Sequence, residues 1–146
     1  MEIQEVDAQM LGQCLEKIFD QQTLEAGLPK VKDQVIALAA LEGGQIIGGI
    51  VAKQTHESIY VQLLAVDNNY RGKRVGSQLL EAIETYARQR AIIQLTLIIK
   101  SYQALGFYQK KGFDIFGELA DMPMRGVTKY YLNKRLQAWI AKGISR

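Results

Sequence analysis

The chain has little of what several common enzyme classes require. It carries one cysteine, Cys14, so no intrachain disulfide and no cysteine metal cluster can form. It carries one histidine, His56, which excludes mechanisms built on two histidines, most zinc-hydrolase sites among them. No metal is expected. No apolar run approaches the roughly 20 residues of a membrane-spanning helix, so no membrane partner is expected. The first residues, MEIQEVDAQM, are acidic and polar and lack the charged-then-apolar layout of a signal peptide. A cytoplasmic location is therefore the default expectation. Net charge is also small: 18 Lys+Arg against 15 Asp+Glu give +3. That suits anionic ligands but is too weak to argue for nucleic acid.

What is present is an ordinary globular balance, 48% hydrophobic and 23% charged. A chain of 146 residues reads as one domain over 1–146 with a full core. Residues 1–6 alternate like a short strand. Asp7 is a plausible N-cap for a helix whose apolar face is Leu11, Cys14, Leu15, Ile18 and Phe19. Residues 21–32, with Gly27 and Pro29, read as a broken helix or loop. Strands are expected over 34–41 and 45–53, joined across Glu42-Gly43-Gly44, and over 58–66 after a second turn. Gly48 and Gly49 inside a strand imply a bulge or a close backbone approach. An amphipathic helix over 75–91 and a buried strand over 92–100 complete a βαβ unit, so the strands at 58 and 92 should be parallel neighbours. A helix over 101–111, N-capped by Ser101, strands over 113–119 and 128–132, and a short C-terminal helix with Leu136, Trp139 and Ile140 follow. Together these give an α+β domain on one central mixed sheet.

The turn Arg71-Gly72-Lys73-Arg74-Val75-Gly76-Ser77 joins an apolar strand to a helix N-terminus. Free N–H groups and the helix dipole make such a junction an anion site. The Walker spacing fails because Ser77, not lysine, follows Gly76. The dinucleotide fingerprint fails because Arg74 breaks its glycine spacing. The pattern that remains is that of an acyl-CoA loop; the competing reading is a basic helix-opening turn on a solvated surface.

RGKRVGSQLLEAIE resembles the cofactor motif of the GNAT superfamily of acetyl-CoA-dependent N-acetyltransferases, and ALGFYQKKGF at 104–113 resembles its second motif, A-x-x-F-Y-x-K-x-G-F. The run KSYQALGFYQKKGFDIFGEL is similar to a branch of small bacterial members. The resemblance implies a GNAT-like fold with a splayed parallel strand pair, and acetyl-CoA as co-substrate. It implies that Leu64, Ala65 and Val66 offer backbone groups to the pantetheine and acetyl carbonyl. Lys73, Arg74, Val75, Gly76 and Ser77 would bind the pyrophosphate through backbone N–H groups. Arg71, Lys73 and Arg74 would add charge, and Gly72 and Gly76 would permit close approach, Gly76 most clearly. Arg74 stands where the family usually has glycine, which is tolerable if it keeps negative φ.

Tyr108 matches the position implied to protonate the departing thiolate; the alternative is a core tyrosine beside Phe107. Ser101 stands where many relatives have an asparagine that binds pantetheine, and capping its helix is the other role. Ala104 matches a small position beside the cofactor chain. No general base is evident: the splayed strand carries Ser58, Tyr60 and Gln62, His56 and Glu57 lie at its start, and Asp67 lies at its end, where fixing the turn is its alternative role. The reaction expected is direct attack of a small-molecule primary amine on the thioester. The alternatives are acetylation of a protein or peptide amine and a non-catalytic acyl-CoA-binding module. Trp139 and Ile140 suit either a homodimer contact or packing on the sheet.

Overall fold

The structure is a computed structural model that describes residues 1–30 and 33–137. The chain divides into two compact units, Met1–Lys32 and Asp33–Arg146. The first is built on helix α1, Ala8–Glu25. Asp7 caps it as its spacing predicts, its carboxylate accepting the Met10 N–H at 2.9 Å. The helix runs further than expected and closes at Gly27, φ 75°. There the Gly27 and Leu28 N–H groups bond back to Leu24 and Thr23. Residues 1–6 form no strand, because a strand persists only in a ladder and they find no ladder partner among the described residues.

Among the described residues, the second unit holds six strands in the order β1-β2-β3-β4-β6-β5. β1 (Gln34–Glu42) and β2 (Gln45–Thr55) are a hairpin. Its two-residue turn takes positive φ at both Gly43 and Gly44, 55° and 79°, the twist-matched geometry that glycine allows. β3 (Ser58–Val66) pairs antiparallel with β2. Helix α2 (Val75–Gln89) then crosses to β4 (Gln94–Lys100), which pairs with β3 in parallel, as the βαβ pattern requires. Helix α3 (Leu105–Lys110), β5 (Asp114–Ala120) and β6 (Thr128–Arg135) complete the unit. The expected fold class, a mixed sheet with a parallel pair flanked by helices, is what forms.

The core lies between α2 and the sheet. Leu79, Leu80, Ile83 and Ala87 are buried against Ile36, Ile50, Ala52, Ile59 and Val61. Leu95, Leu97 and Ile99 alternate inward along β4. Each fully buried Leu or Ile contributes about 1.5–3 kcal/mol. α2 ends two residues before the expected 91, because Ala91 turns to φ 55° and the Ile92 N–H returns to the Ala87 carbonyl. α3 begins at Leu105 and not at Ser101. The Ser101 hydroxyl instead accepts the Thr128 N–H at 3.1 Å, which ties the end of β4 to the start of β6. The C-terminal helix expected around Trp139 and Ile140 lies outside the described residues; Leu136 is buried. No helix of the described residues is long and apolar enough to cross a membrane.

Two devices shape the sheet where β3 leaves β4. Gly48 lies opposite Val66, and a Cβ there would stand 2.9 Å from the Ala65 carbonyl oxygen. The close approach anticipated from this glycine is real. The β2–β3 register also shifts between Val51–Leu63 and Ala52–Val61, so Gln62 is a bulged residue. Gly48→Ala should cost about 1–3 kcal/mol, since backbone must move; urea unfolding measures it. α2 is tied to β6 by Glu84, which accepts from Lys134 Nζ at 2.7 Å and Arg88 Nη2 at 2.9 Å. Burial pushes this carboxyl up, but the two cations outweigh burial and hold its pKa below the ordinary 4.5. The stability it supplies is thus complete above about pH 4.5 and lost as pH falls through the lower folded value. Glu84→Gln should cost about 1–2 kcal/mol at neutral pH, and the difference from wild type should shrink as pH falls below 4.5.

Candidate active site

β3 and β4 pair only from Ser58–Gln94 to Val61–Leu97. Beyond that point β3 continues to Val66 and β4 to Lys100 with no ladder between them. β2 pairs with one edge of residues 63–66, so alternate backbone N–H and C=O groups of that segment face the gap. The gap opens into a cleft of about 900 Å³. Its walls are the ends of β3 and β4, the start of α2, and α3.

The cleft gathers most of the residues singled out from sequence. Leu64, Ala65 and Val66 line it from β3, and Ala104 and Tyr108 from the α3 side. Arg71, Gly72, Arg74, Val75, Gly76 and Ser77 line its other end. Lys73 and Ser101 are not among the lining residues. The Lys73 ammonium sits 5.4 Å from the Tyr70 ring centre, and Ser101 is engaged with Thr128. Tyr70, Tyr102, Gln103 and Phe107, not singled out as site residues from sequence, also line the cleft, as does Gln62, weighed there only as a base. Phe107 was legible in the second motif, and Gln103 accepts the Lys100 N–H at 2.7 Å. Tyr70 and Tyr102 come close only through turns that follow their strands, so no local pattern marks them.

At the α2 end, the first α-helical bond runs from the Gln78 N–H to the Arg74 carbonyl. The N–H groups of Val75, Gly76 and Ser77 therefore precede the intrahelical ladder, and no side chain caps the helix. With the dipole behind them they form a positive end of about half a charge. Ser77 is the buried polar residue of the described core, 9% exposed. A phosphorylated ligand fits this donor set.

The turn itself departs from expectation. Arg74 has φ 63°, in the left-handed region, not negative φ. The backbone needs that value to swing from the turn into α2, which is the reason glycine suits the position. The Arg74 side chain reaches Glu81 at 3.5 Å, an exposed pair of small worth. Gly72 has φ 79° with open space around a notional Cβ, so conformation demands glycine there. At Gly76 a Cβ would meet the Phe107 ring at 3.5 Å, an ordinary contact. The protein's own backbone thus requires glycine more clearly at Gly72 than at Gly76, where the expected constraint was room for a phosphate.

At the α3 end Tyr108 packs edge-on against Phe107 and Phe113, with ring centres 5.1 and 6.0 Å apart. Burial raises its phenol above the ordinary 10.0, so it holds its proton throughout the neutral range. Among the weaker candidates, Asp67 does fix the turn: its carboxylate accepts the Asn69 N–H at 2.8 Å. His56 is an exposed turn residue at φ 53°.

A parallel pair thus parts beside an uncapped helix N-terminus, with a half-buried phenol next to the gap. Comparison with known proteins agrees. The Acetyltransferase (GNAT) family model matches residues 8–113. The blasticidin-S acetyltransferase of Streptomyces morookaense is 34% identical over 96 residues, 65% of this chain and 70% of that protein. An acetyltransferase structure from Bacillus cereus ATCC 14579 superposes with a TM-score of 0.83 at 27% identity, covering 93% of this chain and 99% of that one. A Bacillus anthracis str. Ames protein, provisionally called a streptothricin acetyltransferase and solved with acetyl coenzyme A, gives a TM-score of 0.65 at 26% identity over 72% of this chain and 64% of its own. The chain belongs to the acetyltransferase (GNAT) family.

Arg74→Gly relieves about 1 kcal/mol of left-handed strain against a similar entropic cost. Its stability should therefore match wild type or exceed it by up to about 1 kcal/mol, whereas Arg74→Val should lose about 1–2 kcal/mol. Urea unfolding of the three proteins checks this.

Proposed function

We propose that this acetyltransferase moves an acetyl group from acetyl-CoA to a primary amine of a small molecule, by direct attack within the splayed cleft. The observation that carries the reading is the single cleft joining the unladdered end of β3, the open N-terminus of α2 and Tyr108. The Bacillus anthracis structure, which contains acetyl coenzyme A, and the antibiotic named for the Streptomyces relative support the co-substrate and acceptor class. The family match runs through both compact units and supports treating the chain as one acetyltransferase domain. A cytoplasmic setting suits these substrates.

Each residue has a task in this reading. The N–H groups of Val75, Gly76 and Ser77 bind the pyrophosphate, with Arg71 and Arg74 adding charge over the open mouth. Leu64, Ala65 and Val66 pair with the pantetheine amides as a missing β4 neighbour would. A β3 N–H polarises the acetyl carbonyl as negative charge develops on its oxygen. The amine lone pair forms the new C–N bond, the C–S bond breaks, and the Tyr108 hydroxyl gives its proton to the departing sulfur. The nitrogen releases its surplus proton to water.

Tyr108→Phe should lower kcat about 10²-fold with the KM for acetyl-CoA unchanged, measured as thiol release. An effect below about threefold would remove Tyr108 from the chemistry. In wild type the raised phenol should give no falling limb below about pH 10. Burial of the neutral phenol stabilises the fold below its unfolded value near 10.0, and that contribution is lost as pH rises through the higher folded one.

A further inference from the structure

Among the described residues that line the reaction end of the cleft, none carries a carboxylate. Of the side chains that line the whole cleft, Arg71 and Arg74 carry charge and none is acidic. Both arginines sit at the α2 end. At the splay itself the titratable groups are phenols, Tyr102 and Tyr108, and Tyr70 lies toward the turn. The strands on either side of the splay add no acid. β2 presents Gly48, Gly49, Ile50 and Val51 opposite this stretch of β3. β4 supplies Ile98 and Ile99 to the lining and ends at Lys100. Glu57 is five residues from Gln62 along an extended strand, roughly 17 Å away. Asp67 is turned into its own loop by the Asn69 N–H.

One side chain at the splay has a hydrogen-bonding carbonyl without a charge. Gln62 is the bulged residue of β3, immediately past the last β3–β4 pair, exposed and lining the cleft. A bulge re-aims a side chain, and this one stands where the two strands part. Its amide makes no hydrogen bond with the described residues.

These surroundings discriminate between nitrogens. A Lys-like amine has a pKa of about 10.4, so at pH 7 only about one molecule in 10³ carries a free lone pair. The cationic remainder would enter an apolar splay with no counter-ion, which is costly. A weakly basic nitrogen enters uncharged and already nucleophilic. We infer that the acceptor's attacking nitrogen is uncharged at neutral pH, as in an aromatic amine, an amino-heterocycle or an acyl hydrazide, and that Gln62 selects it by accepting one of its N–H bonds. This deepens the proposed acetyl transfer and rests on it. The hydrogen bond leaves the lone pair free for the acetyl carbon. The C–N bond forms as the C–S bond breaks, Tyr108 protonates the sulfur, and the nitrogen's proton passes to water.

The test is a comparison of kcat/KM at pH 7 and saturating acetyl-CoA for two acceptor pairs. One pair is aniline and benzoyl hydrazide; the other is n-butylamine and spermidine. Wild type should favour the weakly basic pair by at least about tenfold. Gln62→Ala should lower that activity about tenfold with the KM for acetyl-CoA unchanged. Gln62→Glu should shift the preference at least about tenfold toward the alkylamines and add a rising limb in the acid range that wild type lacks. Wild-type preference for the alkylamines, or an unchanged preference in Gln62→Glu, would overturn the inference while leaving acetyl transfer standing. Turnover of neither pair would overturn the transfer reading and this inference with it.

Discussion

The parallel ladder between β3 and β4 breaks after the Val61–Leu97 pair, and every feature of the cleft depends on that break. Neighbouring strands in a sheet normally satisfy each other's backbone groups, and leaving a row unpaired away from water costs on the order of a kcal/mol or more per group. Here the break is enforced. A Cβ at Gly48 would stand 2.9 Å from the Ala65 carbonyl oxygen, so glycine there lets β2 and β3 approach. The bulge at Gln62 turns the end of β3. β4 meanwhile pairs with β6 along its whole length, from Gln94–Arg135 to Lys100–Lys129, with no register shift. The bulge lies on β3 alone, next to the point where the two strands part.

The site that results is mostly main chain. Open β3 groups at one end and the uncapped start of α2 at the other are positioned by core packing. Leu79, Leu80, Ile83 and Ala87 fix α2 on β1–β3, while the Glu84–Lys134 pair at 2.7 Å ties its exposed flank to β6. Binding by backbone tolerates variation in side chains, which explains how Arg74 can stand in a glycine position by adopting φ 63°. The polar side chains beside the parted strands include a half-buried phenol that keeps its proton and a neutral amide. Such an arrangement places few demands on charge and many on geometry.

Much of this was legible in the sequence. The apolar spacing of α2, the Gly43-Gly44 turn and the βαβ order set strand neighbours correctly, because each rests on local periodicity or turn chemistry. Gly48 announced a close approach, though not what approached it. Other features hid because they depend on tertiary context. Ala91 and Arg74 adopt left-handed backbone that their residue types do not advertise, so the end of α2 and the conformation of the turn were misread. Ser101 is a good cap by type, but Thr128, 27 residues away, claims its hydroxyl. Alternation in residues 1–6 could not by itself create a ladder. The bulge at Gln62 is a matter of register between two strands, and no single segment encodes it.

The proposed transfer requires one extended ligand that spans the open β3 edge and the α2 N-terminus. The most direct measurement is a titration of the ¹⁵N-labelled protein with CoA, followed by backbone amide chemical shifts. The account predicts coordinated shifts at Leu64, Ala65 and Val66 and at Val75, Gly76 and Ser77, saturating together with one dissociation constant. Shifts confined to other faces of the sheet, or at only one end of the cleft, would contradict it.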